Sequence, residues 1–185
     1  MAKVARMLFL LVVVPLGLML FLLHRGGFFQ GWIEVRPADA HFTARFPVQP
    51  EASTKTVEAG RQRSTTWNSL KAKEAAVEYG IGWGTYPADR KLVASPQVFQ
   101  NMEAAVAQEC GGTVAEERAL HRPLRSGMLE GRYLKIDAGQ GWAEGYLFLS
   151  EGSPARVWQI MISYPKAGPE PPVQKYLNSF QVVDL

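Results

Sequence analysis

Cysteine, histidine and net charge are all scarce in this chain, and each scarcity removes a class of function. The only cysteine is Cys110, so no intramolecular disulfide and no paired-cysteine metal knuckle exist. No cysteine stands at the end of the N-terminal apolar run, which excludes lipid attachment there. The histidines are His24, His41 and His121, and no two stand at a metal-ligand spacing, so no metal is expected. GxSxG, HExxH, a P-loop and a dinucleotide fingerprint are all missing. The expectation is a chain that is not an enzyme and needs no cofactor.

Charge is balanced where it matters. Lys3, Arg6 and Arg25 carry three of the 20 basic residues, and none of the 17 acidic ones precedes them. From residue 26 onward, 17 basic residues meet 17 acidic ones. A nucleic-acid binder shows a basic excess on its domain, so nucleic acid is excluded as a partner.

Charge is absent altogether from residues 7–23 (MLFLLVVVPLGLMLFLL). As a helix this run would span about 25 Å, close to the ~30 Å hydrocarbon core of a bilayer. Lys3, Arg6 and Arg25 flank it and can snorkel outward, and Trp32 suits the outer interface. Residues 1–25 are therefore read as a transmembrane anchor and 26–40 as a linker. The expected arrangement is single-pass, with a cytoplasmic N-terminus and an exported domain, periplasmic or extracellular. A cleaved signal is the competing reading, although the nearest small-x-small site, Ala38-Asp39-Ala40, lies far downstream.

Residues 41–185 make one domain of ordinary size. His41 to Phe46 alternates and stops at Pro47-Val48-Gln49-Pro50, a short first strand. Residues 53–58 and 62–70 flank Gly60 as a hairpin. In 75–86, Val77, Tyr79, Ile81 and Trp83 share one face, while Glu78, Gly80, Gly82 and Gly84 share the other. The glycine face invites close packing by a helix or a ligand. Ser95-Pro96 opens a helix with Val98, Phe99, Met102, Ala105 and Val106 on one side, and Gly111-Gly112 closes it. Strands are read at 113–120, 127–137, 141–150 and 155–164. Val173, Tyr176, Leu177 and Phe180 mark a second helix. The predicted class is α+β: a mostly antiparallel sheet with one inserted helix, one near-C-terminal helix packed on it, and the N-terminal transmembrane helix.

The opening Phe42-Thr43-x-x-Phe46-Pro47-x-x-Pro50, the helix after a Tyr-Pro break, the strand meander and the closing Tyr176-Leu177-Asn178-Ser179-Phe180 resemble the PsbP-like α/β/α sandwich group. That group includes many small exported or membrane-tethered bacterial proteins. The resemblance covers residues 41–185 and implies a non-enzymatic accessory or binding role.

Candidate sites follow from clusters. Arg118, His121, Arg122 and Arg125 form a basic group able to hold an anion through forked guanidinium contacts. Trp67, Trp83 and Trp142 are candidates for an aromatic binding surface. Glu116, Glu117, Glu130 and Glu144 lie on neighbouring predicted strands and read as a solvated face with partners such as Arg118 and Arg132. The expected partners are the lipid bilayer through residues 1–25 and a protein at the membrane surface. A small ligand held at the Gly80–Gly84 face or the arginine cluster is the alternative.

Overall fold

The computed structural model describes residues 31–38, 40–58, 64–86, 92–124, 127–151 and 154–183. The chain divides into Met1–Trp32 and Ile33–Leu185. Of the first unit only Gly31 and Trp32 are described. Lys3, Arg6, Arg25 and the whole 7–23 run lie outside the described residues.

Alternation sets the strands of the second unit. β1 (Ile33–Val35), β2 (Phe42–Phe46) and β10 (Gln181–Val182) form a small sheet ordered β1-β2-β10. β1 falls inside the span read as linker and pairs with β2, Ile33 opposite Phe46. The large sheet holds β3 (Glu51–Glu58), β4 (Ser64–Glu74), β5 (Val77–Thr85), β6 (Thr113–Leu124), β7 (Gly127–Asp137), β8 (Gly141–Ser150) and β9 (Arg156–Pro165). Their order is β3-β4-β5-β9-β8-β7-β6, every neighbour antiparallel. Helix α1 (Pro96–Glu109) connects β5 to β6, and α2 (Val173–Ser179) precedes β10.

α1 begins where its sequence dictates. Ser95 Oγ accepts the Val98 N–H at 3.3 Å, and Pro96 occupies the first turn. Gly111, at φ 65°, turns the chain so that the Gly112 N–H reaches the Ala107 carbonyl at 2.9 Å.

The two faces of the large sheet are covered differently. α1 lies over β7, β8 and β9, where Val106 and Ala107 pack on Leu134, Ile136, Ala143, Leu147 and Met161. Farther along, Phe99 packs on Leu149 and Val157. The opposite face carries an aromatic core. Phe42 meets Trp83 edge-on at 5.3 Å, Tyr79 meets Tyr176 at 5.1 Å, and Phe148 stacks on Phe180 at 5.9 Å. Trp158, wholly buried, donates its indole N–H to the Ala40 carbonyl at 3.0 Å and so ties β9 to the chain entering β2.

This architecture corrects the expected α+β class with a transmembrane helix. Among the described residues strand makes up 58% and two short helices occur, a sheet-rich fold. Among the described residues no helix is long and apolar enough to cross a membrane. The apolar residues on both faces of the large sheet require cover on both sides. One face is covered in large part by the second sheet, with α2 contributing only seven residues. The polar strands also run longer than their patterns suggested. Ser, Thr and Lys rows carry no apolar alternation, yet β3 and β4 pair without interruption from Glu51↔Lys71 to Glu58↔Ser64.

α1 is also rotated from its expected face. Ala105 is exposed while Ala107 and Glu103 are buried. Glu103 is drawn inward by Arg132, at 3.7 Å, which also binds Glu117 at 3.2 Å and lies over the Phe99 ring. Burial raises the Glu103 pKa, Glu117 raises it further, and Arg132 opposes both. A carboxyl with a raised folded-state pKa stabilises the fold in its protonated form, fully below its unfolded pKa of about 4.3 and less as pH rises through the folded value. Glu103→Gln mimics that form. We predict a melting temperature higher by about 2–4 °C at pH 7 and no gain near pH 4, read by thermal unfolding. A gain of equal size at both pH values would refute this account of Glu103.

Candidate binding groove

β5 presents Glu78, Gly80, Gly82 and Gly84 on the α1 side of the sheet, as its alternation requires. β4 places Lys73, Lys71, Ser69 and Trp67 directly beside them. The indole of Trp67 lies across two of the glycines. A Cβ at Gly82 would stand 2.7 Å from Trp67 Cζ2, and one at Gly84 would stand 2.8 Å from Cε3. Those two glycines exist to seat a tryptophan from the same sheet. Gly80 has no such neighbour: a Cβ there would meet only the Met161 carbonyl oxygen, at 4.0 Å.

Open space over Gly80 is the mouth of a groove of about 360 Å3. Its floor is Gly80, Gly82, Gln159 and Met161, one end is Trp67, and the far wall is Glu109 and Cys110 at the close of α1. Ser53, Lys55, Ser69 and Lys71 form the open side. A second hollow of about 330 Å3 shares Glu78, Cys110 and Ser163 with it and continues to Lys73 and Trp142. The groove exists because α1 lies over the β6 to β9 half of the sheet, leaving Gly80 on the same face of β5 without a roof.

Polar groups in the groove are loosely engaged. Lys71 stands 3.9 Å from Glu78, and Gln159 Nε2 donates to Glu109 Oε2 at 3.5 Å. Ser53 and Ser69 bond to each other at 2.8 Å. Burial, and then Glu109, push the Cys110 thiol up, so a thiolate is disfavoured. Such a lining offers hydrogen bonds, a tryptophan face and two lysines, but no activated nucleophile.

The arginine cluster is divided by strand alternation. Arg118 and Arg122 project on the aromatic-core side and His121 on the other. Arg118 pairs with Glu116 at 2.9 Å and lies over the Tyr133 ring at 4.2 Å. His121 Nδ1 meets Glu130 at 2.9 Å. Arg122 donates to the Phe180 carbonyl at 2.8 Å and lies over Tyr146 and Phe148, and its burial lowers its pKa. It serves as a tie to the end of α2. Arg125 lies outside the described residues.

The tryptophans separate too. Trp83 is in the core against Phe42. Trp67 ends the groove. Trp142 borders the second hollow beneath the ammonium groups of Lys135 and Lys166, 4.9 and 4.4 Å from its ring.

Sequence reading did not find the buried carboxylate cluster. Glu144 is 4% exposed. It accepts a hydrogen bond from Tyr133 Oη at 2.7 Å, another from Tyr164 Oη, and the ammonium of Lys135 at 2.9 Å. Burial alone would raise its pKa, but the bonds from Tyr164, Lys135 and Tyr133 outweigh this and hold it below the usual carboxylate range. Both phenols are raised, first by burial and then by Glu144. These four groups come from β7, β8 and β9, so only the strand register brings them together. With its acceptor sites filled, Glu144 clamps three strands. Among the described residues no three metal-ligating side chains converge.

No family model matches the chain, and no curated protein matches it.

Proposed function

We propose that this chain is a non-enzymatic binding domain, held at a membrane surface by its N-terminal apolar segment, that engages a protein partner through the groove over Gly80. The carrying observation is the half-roofed sheet: α1 covers the β6 to β9 half and leaves Gly80 open beside Trp67, Lys55 and Lys71. A groove open along one side suits a protruding side chain or loop better than an enclosed small molecule. The uncharged 7–23 run supports the tether, and the balanced charge of the remainder supports a protein partner over nucleic acid or anionic lipid. On this reading the domain stands on the exported side.

A small exported ligand is the second reading, favoured by one observation: about 360 Å3 lies within the range of small-molecule pockets. Chemical crosslinking of the full-length protein in its native membranes, then mild detergent extraction and mass spectrometry, separates the readings. A chain starting at Gly31 serves as control. A defined protein recovered only with the full-length form is expected. Recovery of no protein from either form would overturn the partner reading in favour of the ligand.

A further inference from the structure

Among the described residues β3 and β6 are the two unpaired edges of the large sheet, and they differ. At β6 the pairing with β7 breaks between Val114 and Glu116, and Pro123 removes a backbone donor. Bulges and prolines are the usual guards against strand addition. β3 has neither. Its register with β4 is continuous over eight residues, and residues 51–56 are all exposed.

Charge on this edge is patterned. Glu51, Ser53 and Lys55 alternate and share the groove side of the sheet. Glu51 stands opposite Lys71 on β4, whereas Lys55 stands opposite Trp67 and has no ion pair among the described residues. An antiparallel strand added outside β3 would place its side chains beside these three.

We propose that β3 pairs with β3 of a second copy of this chain, antiparallel and centred on Ser53. A two-fold axis perpendicular to the sheet keeps like faces together, and pleating then allows only registers centred on a residue. Centred on Ser53, Glu51 lies opposite the partner's Lys55, and Lys55 opposite the partner's Glu51. Ala52 lies opposite the partner's Thr54, with no bulk to obstruct them. Centring on Thr54 leaves both charges unmatched, and centring on Lys55 sets two ammonium groups face to face. The strand's own charge order therefore selects one register. In this dimer the two grooves open on the same side of one continuous sheet, with Lys55 and Ser53 of each copy at the shared rim.

Oxidative crosslinking of the full-length protein carrying Cys110→Ser tests this. Ser53 faces its own symmetry mate, so Ser53→Cys is expected to form a disulfide-linked dimer. Thr56→Cys, several residues from the axis, is expected to form none. Adding Lys55→Glu to Ser53→Cys replaces two attractions by two repulsions and should reduce the dimer roughly tenfold. Adding Glu51→Lys as well should restore it. The positions changed on β3 are all exposed, and thermal melts matching that of Cys110→Ser alone confirm intact folding. Equal linking at positions 53 and 56, or failure of the charge exchange to restore the dimer, would overturn the proposal.

Discussion

Replacing Glu144 by alanine should lower the unfolding midpoint of the domain by about 10 °C at pH 7. The change removes the shared acceptor of Tyr133, Tyr164 and Lys135 and leaves two buried hydroxyls and a partly buried ammonium without it. Breaking a buried pair from one side costs about 3 kcal/mol, and each kcal/mol moves the midpoint of a domain of this size by about 2–4 °C. The pH dependence gives a sharper signature. The folded-state pKa of Glu144 is depressed, so its contribution is present above the unfolded value of about 4.3 and is lost as pH falls through the folded value. Wild type and Glu144→Ala should thus differ most at neutral pH and converge in strong acid. Glu144→Gln, which keeps an acceptor, should fall between them. Thermal melts of the three proteins across pH decide the matter. A loss of stability that is small, or constant with pH, would mean that Glu144 does not clamp the sheet.

Gly145→Ala should destabilise by about 3 kcal/mol, at the upper end for overpacking a core. Gly145 lies in β8, between β7 and β9, and a Cβ there would collide with the Ile160 carbonyl oxygen and Met161 Sδ. The carbonyl belongs to the neighbouring strand, so it cannot yield without disturbing the ladder. Gly80→Ala is the matched control, since its Cβ would meet nothing nearer than 4.0 Å. Urea unfolding should give the control a midpoint near that of wild type and shift Gly145→Ala strongly downward. Similar midpoints for the two variants would contradict the close packing of β8 on β9.

The legible parts of this fold are those governed by local chemistry. Ser95-Pro96 and Gly111-Gly112 mark the ends of α1 because capping and left-handed turns depend on a few adjacent residues. Trp158, Ile160, Ile162 and Tyr164 share a face because strand periodicity is local too. The class is not legible because nothing local states which layer will cover an apolar face, and β2, β10 and α2 reach it from both ends of the domain.

Site residues followed the same division. The division of Arg118 and Arg122 from His121 follows from period two once that stretch is a strand. Adjacency in sequence groups these residues, whereas alternation along β6 sets His121 on the opposite face. Three glycines on one face signal close packing, but Trp67, which covers Gly82 and Gly84, is placed there by the β4–β5 register. Glu144 was seen only as one of several carboxylates. Its partners Tyr133 and Tyr164 lie 11 and 20 residues away and meet it only across strands. Glu103 lies outside the apolar row of Val98, Phe99, Met102, Ala105 and Val106, and its pairing with Arg132 draws it inward.

A photo-crosslinker on the open side of the groove over Gly80 shows whether a partner occupies it. Benzoylphenylalanine at Ser69 of the full-length protein, irradiated in native membranes, should yield one adduct with a different polypeptide. Adding Gly80→Phe, which fills the groove from its floor, should abolish that adduct while the domain stays folded. Benzoylphenylalanine at Thr56, on the other face of β3, should give none. An adduct from Ser69 that survives Gly80→Phe, or an equal adduct from Thr56, would contradict the groove as the binding site.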